Sequence, residues 1–342
     1  MASYKMVSLL ALGLLFAANL YLSEAQVGVC YGTKGNNLPT PQEVVGLFAA
    51  NNISKVRLLE PNKDILTALK GKNVEVLLGF PNGEIAAFNP SVADKWVADN
   101  VKPYVPDVKI KYIVYGTELS RNSFHNSFTF TAFVNMKALQ DALKKQGIED
   151  IKITTSLDSS VLIPNPIPSA SKLFPESENF LEGDGVLKFI SEQNAPLMVN
   201  MYPYYQFIMR ENETKLEFAL FTSEGNVLSD GKLGYQNKFD AMLDAFYTVI
   251  EKRYPKMEIV VAETGWPSAG GVEASLENAK TYVTNLVQHV NKGTQRRPNK
   301  PIQVYLNLFD ENQRDTPEVE KHFGLFTSDK KIKFPVAFSS SA

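Results

Sequence analysis

Eight short apolar runs rich in Val, Ile, Leu and Tyr recur along the chain, and stretches of helical periodicity separate them. The runs are Val27–Gly32, Lys55–Glu60, Glu75–Phe80, Lys111–Glu118, Lys152–Leu157, Pro196–Tyr204, Glu258–Trp266 and Ile302–Phe309. Most are near-continuous rather than alternating, the pattern of strands buried on both faces. Helices are predicted over Pro41–Asn52, Ala132–Gln146, Phe239–Arg253 and Ser275–Asn291. Thr40 with Glu43 three positions on forms a capping-box pattern, and Ser275 is a second candidate cap. Regular strand–helix alternation points to parallel βα units. Eight such units are the arithmetic of a (β/α)8 TIM barrel, an α/β fold. A doubly wound sheet competes, but Gly28, Gly32 and Gly35 do not match the G-x-G-x-x-G phosphate turn that usually follows its first strand.

One stretch breaks the repeat. Residues 205–234 separate the sixth strand from its helix and are too long for a plain βα loop. Phe218, Leu220 and Phe221 give the stretch something to bury, so a small subdomain inserted on the catalytic face is predicted.

The first 25 residues read as a leader rather than as part of the fold. Lys5 supplies a positive start, Val7–Leu22 is almost wholly apolar, and Ser23-Glu24-Ala25 suits signal-peptidase cleavage after Ala25. The predicted organisation is a secretory signal peptide over 1–25 and one barrel domain over 26–342. Asn52-Ile53-Ser54 and Asn212-Glu213-Thr214 are glycosylation sequons that fit a secreted address. The sequence ends PVAFSSSA, without the hydrophobic tail of a lipid-anchor signal, so no membrane attachment is expected.

Composition narrows the chemistry. Lys plus Arg number 35 and Asp plus Glu 37, a near-neutral balance that argues against nucleic-acid binding. The single cysteine, Cys30, excludes an intramolecular disulfide. His125, His289 and His322 are scattered, with no HExxH and no paired CxxC, which argues against a metal centre. Carboxylates are left to carry the chemistry. In a barrel, functional side chains sit at the C-terminal ends of the strands. That rule selects Glu60, Glu118, Asp158, Glu263, Asp310 and Glu311. Glu118 and Glu263 each directly follow an apolar run, where a lone carboxylate is costly unless it is paired or used. Two carboxylates across a barrel mouth are what glycoside hydrolysis needs, although strand-end acids in structural ion pairs give the same pattern. Tyr31, Tyr202, Tyr204 and Phe309 lie near strand ends, where aromatics either stack on sugar rings or fill the upper core.

At these residues the chain resembles the plant endo-β-1,3-glucanases of glycoside hydrolase family 17. The likeness runs over essentially all of the mature chain. It rests on Val27-Gly-Val-Cys-Tyr-Gly32, Val76-Leu-Leu-Gly79, Tyr202-Pro-Tyr204, Gly234-Tyr-Gln-Asn237, Glu263-Thr-Gly-Trp-Pro-Ser-Ala-Gly270, Asp310-Glu-Asn-Gln313 and His322-Phe-Gly-Leu-Phe326. The resemblance implies a retaining (β/α)8 glycosidase that cuts internal β-1,3 linkages of callose or fungal wall glucan. It implies Glu263 as nucleophile and Glu118 as general acid/base. It places Glu311, Tyr202 and Trp266 at the active site, and by motif position Glu60, Thr117 and Arg314 as well. No cofactor is implied, the partner is a β-glucan polysaccharide, and a monomer in the apoplast or cell wall is expected. Several positions depart from the family pattern. The usual G-N-E is Gly116-Thr117-Glu118, and the usual R-L-Y-D-P-N is Arg57-Leu-Leu-Glu-Pro-Asn62. Arg314 stands where Lys is usual, and Tyr115 where a small aliphatic residue is common. The departures at Leu59 and Thr117 set two other readings beside the first: a β-glucan-binding barrel with weakened turnover, and a β-1,3-1,4-glucanase.

Overall fold

The structure, a computed structural model, describes residues 26–125, 131–209 and 214–338; the expected leader and Asn212 lie outside the described residues. Its principal strands are β1 (Val27–Tyr31), β2 (Lys55–Leu58), β3 (Glu75–Phe80), β4 (Lys109–Tyr115), β5 (Lys152–Thr154), β6 (Ser156–Asp158) and β7 (Leu197–Asn200). A hairpin, β8 (Leu228–Asp230) and β9 (Leu233–Tyr235), precedes β10 (Ile259–Thr264) and β11 (Val304–Asn307). Apart from the hairpin, the strands form one sheet in the order β5-β4-β3-β2-β1-β11-β10-β7-β6, with parallel pairing throughout. Its two ends, β5 and β6, are consecutive in the chain and separated only by Thr155. Thr155 bridges the break. Its hydroxyl donates to the Tyr115 carbonyl at 2.6 Å, and its carbonyl accepts from the Met198 N–H at 3.1 Å. β5 and β6 therefore share the fifth position of a closed eight-position barrel, as the strand–helix alternation predicts.

Cys30, Leu77, Val114, Met198, Val260, Ala262 and Tyr305, drawn from six strands, form one buried cluster. A second, larger cluster joins strand residues such as Val29, Val56 and Val76 to helix residues such as Val44 and Phe48. The helix Pro41–Ala50 starts where the capping box predicts: Thr40 N–H donates to the Glu43 carboxylate at 2.8 Å, and Glu43 N–H donates to the Thr40 hydroxyl at 3.4 Å. Ser275 caps Leu276–His289, and Asn237 caps Lys238–Ile250. The predicted helices agree with the observed ones to within about a turn. The insertion after β7 holds the helices Pro203–Ile208 and Leu216–Ala219 and the β8–β9 hairpin. It has its own small core, in which Phe218 packs with Tyr235 and Ala241.

The strands end earlier than the apolar runs. β4 stops at Tyr115 rather than Glu118, β7 at Asn200 rather than Tyr204, and β10 at Thr264 rather than Trp266.

Candidate active site

The path to Glu118 begins where β4 leaves its neighbour. Gly116 N–H still donates to the Phe80 carbonyl of β3 at 3.0 Å. Gly116 itself takes φ +76°, where a Cβ would be strained and would meet the Leu119 side chain at 2.7 Å. The backbone then bulges through Thr117 and Glu118 and rejoins the sheet at Leu119, whose N–H donates to the Ser156 carbonyl at 2.8 Å. The bulge turns Glu118 onto the rim. Glu263 is aimed by a similar device, since the register of β10 against β7 shifts between Val261 and Glu263. Its register partner on β7 is Asn200, which also pairs with Asp158 of β6.

Between the two bulges lies Arg57, wholly buried inside the barrel. Its Nη1 donates to the Ala262 carbonyl and Asn200 Oδ1, both at 2.9 Å, and approaches Glu263 Oε2 at 3.4 Å. Its Nη2 donates to the Thr117 carbonyl. One guanidinium thus holds the residue before each candidate acid, which is the work a planar fork does well. Asn200 adds a bond from Nδ2 to Glu263 Oε2 at 3.3 Å, and Ser156 Oγ orients it by donating to Oδ1 at 2.9 Å. Burial, and then the Glu263 and Glu118 charges, push the Tyr202 phenol well up, so it stays a donor. Two donors, from Arg57 and Asn200, therefore converge on Glu263, a residue that is 6 % exposed.

Glu118 differs. The residue opens onto the cleft, but protein packs closely around its carboxyl. That crowding, then the charges of Glu263 and Asp158, raise its pKa from 4.5 to about 7 against the opposing pull of Arg57. The two sites share elements but have different environments, the arrangement that separates an acid from an anion.

The cleft continues from Thr117 past Leu58, Leu59, Glu60 and Asn62 on one wall and Tyr31, Gly32, Glu311 and Arg314 on the other, a volume of about 420 Å³. Glu311 accepts from the Lys34 N–H at 2.8 Å and pairs with Arg314 Nε at 2.8 Å. A Cβ on Gly32 would strike the Glu311 carboxylate at 2.2 Å, so only glycine allows this close approach. Arg314 continues to Glu320 at 3.4 Å, and Glu320 accepts from the Tyr205 hydroxyl. This chain ties the last strand end to the insertion. Glu60 is exposed at the mouth, 3.5 Å from the Thr33 hydroxyl.

Burial assigns other residues differently from the sequence reading. Trp266 is 2 % exposed, donates to the Glu273 carbonyl at 2.9 Å and packs among Tyr204, Phe207 and Tyr282. Phe309 is 3 % exposed and sits edge-on to Tyr31, 6.2 Å between centroids. Both side chains are packed in the upper barrel core. Asp310 faces Lys333 Nζ at 2.6 Å and Gly324 N–H at 3.0 Å, an anchor for the C-terminal segment. Arg57, Asn82 and Asn200 were not among the expected site residues. Arg57 left a signal: a permanent charge in the middle of an apolar run. Asn82 and Asn200 left none. Among the described residues, no group of three or more His, Cys, Asp or Glu side chains is placed to hold a metal ion.

A closed (β/α)8 barrel with two carboxylates in contrasting environments at its rim has the architecture of a glycosidase. Comparison with known proteins gives the particular group. The sequence profile of Glycosyl hydrolases family 17 matches residues 27–338. Glucan endo-1,3-beta-glucosidase B of Solanum lycopersicum is 41 % identical over 349 aligned positions, covering 100 % of this chain and 95 % of the tomato protein. Among solved structures, CJP38, a beta-1,3-glucanase and allergen of Cryptomeria japonica pollen, superposes with a TM-score of 0.85 at 38 % identity, covering 92 % of this chain and 99 % of that one. A structure from a pair of plant beta-glucan endohydrolases with distinct substrate specificities gives 0.83 at 37 % identity, covering 91 % and 99 %. The chain belongs to glycosyl hydrolase family 17.

Proposed function

We propose that this protein is a secreted, retaining endo-hydrolase of β-1,3-glucan, with Glu263 as nucleophile and Glu118 as general acid/base. One observation carries the assignment of roles: two donors, from Arg57 and Asn200, gather on Glu263, while Glu118 is pushed up to about 7. In the first step a Glu263 oxygen attacks the anomeric carbon. The bond from that carbon to the bridging oxygen breaks, and Glu118 gives its proton to the departing sugar hydroxyl. In the second step Glu118 takes a proton from water, the resulting hydroxide attacks the anomeric carbon, and the ester to Glu263 is released as carboxylate. A retaining pair requires carboxyl groups about 5 Å apart once substrate is bound. Tyr31, Glu60, Thr117, Tyr202, Glu311 and Arg314 line or edge the path of the glucan, with Trp266 and Phe309 behind it. The closely similar plant relatives are named for this activity, which supports the linkage assignment.

Leu59 and Thr117 stand in the cleft wall where the family pattern has polar groups, and this favours a second reading in which turnover is weak. Reducing-sugar release from a soluble linear β-1,3-glucan tests both, with mixed-linkage β-1,3-1,4-glucan alongside and Glu263→Gln as control. Release well above the control, and greater on the β-1,3 substrate, supports the first reading. Release equal to the control would leave a binding barrel. Among the described residues no helix is long and apolar enough to cross a membrane. Asn52 is exposed just past the end of the helix Pro41–Ala50, an accessible position for a glycan.

A further inference from the structure

We infer that Asn82 is a positioning residue for the acid step: its side-chain amide fixes the backbone that carries Glu118. The inference rests on the assignment of Glu118 as general acid/base. β3 ends at Phe80 and is followed by Pro81, which has no N–H to extend the ladder toward β4. The last backbone bond between these two segments runs from Gly116 N–H to the Phe80 carbonyl. Asn82, the first residue of the short helix Asn82–Ile85, then substitutes its side chain for the missing peptide unit. Its Oδ1 accepts from Thr117 N–H at 2.9 Å, and its Nδ2 donates to the Glu118 carbonyl at 2.8 Å. The amide therefore spans the Thr117–Glu118 segment, bonding the peptide units on either side of the one that joins the two residues. On the other side Arg57 and Asn200 hold the Thr117 carbonyl. The left-handed Gly116 lets the segment swing, and these partners stop it. The Thr117 side chain has no amide with which to hold Glu118 itself, so the burden falls on the backbone clamp.

The consequence is selective. A general acid matters most when the leaving sugar needs a proton, and little when the leaving group departs unaided. Cleavage by Asn82→Ala and Asn82→Asp is to be measured on a linear β-1,3-glucan and on a β-1,3-oligoglucoside carrying dinitrophenol, with Glu118→Gln in parallel. Asn82→Ala is expected to lose about 10-fold in kcat/KM on glucan, for a displacement well under the ~1 Å that can cost 10²-fold, while the activated substrate is nearly unaffected. Asn82→Asp keeps the acceptor for Thr117 N–H but brings a negative charge toward Glu118. It should move the alkaline limb of the glucan profile upward in pH. Equal losses on both substrates, or no loss on glucan, would overturn the role of Asn82. If Glu118→Gln is selectively damaged on glucan and Asn82→Ala is not, only the clamp fails. If Glu118→Gln cuts glucan as well as the wild type, the acid assignment falls and the clamp with it.

Discussion

Glu118 and Glu263 are the same residue type at the ends of two strands of one barrel, and their surroundings make them different reagents. Crowding and the neighbouring Glu263 and Asp158 charges raise Glu118 to about 7. The acid must carry its proton when the glycosidic bond breaks, so kcat/KM on glucan should fall as pH rises, with an alkaline midpoint near 7. Glu118→Gln should abolish that limb along with most activity. A pH–rate profile of wild type and variant checks both. The linkage has a definite sign. Glu118 holds its proton more readily folded than unfolded, so between about pH 4.5 and 7 its contribution to stability declines as pH rises. Arg57 is the counterweight at this scale. A wholly buried guanidinium is tolerated because it bonds two backbone carbonyls, Asn200 and Glu263 at once.

At the scale of elements, the strands set the frame and the irregularities set the chemistry. The bulges at Gly116–Glu118 and at Glu263 aim the two acids, and the break at Thr155 completes the barrel. Gly116→Ala should cost about 1–2 kcal/mol of stability, because its φ of +76° disfavours any Cβ. It should also lower activity on glucan, because Leu119 blocks the added methyl. Chemical denaturation and glucan cleavage on the same preparation measure the two effects. The order of strands and helices was legible in the sequence because apolar runs and caps such as Thr40 and Glu43 act locally. The strand ends were not. Tyr115, Asn200 and Thr264 close their strands while the apolar pattern runs on, because a left-handed glycine or a register shift carries no signature in hydrophobicity. The strand-end rule selected Glu118, Glu263 and Glu311, residues that lie at one end of the barrel. It missed Asn82 and Asn200, whose roles depend on neighbours 35 and 63 positions away. The resemblance set Trp266 at the active site, and Phe309 lay near a strand end; both side chains are buried.

For the whole molecule, the cleft beside Thr117 lies at the end of the barrel where the strands leave off. Arg314, Glu320 and Tyr205 tie its floor to the insertion after β7, so the loop that breaks the repeat is fastened to the site it borders. The tomato relative is named for cutting within a glucan chain, and the family membership fits that use. The central claim is that Glu263 attacks the anomeric carbon and Glu118 delivers and then removes the proton, which means two inversions. Proton NMR of the first products from linear β-1,3-glucan measures this most directly. The new reducing ends should appear first as the β-anomer, with the α-anomer growing only by mutarotation, and Glu263→Gln should give neither. An α-anomer formed first would contradict the claim, since a single displacement by water leaves Glu263 no covalent role.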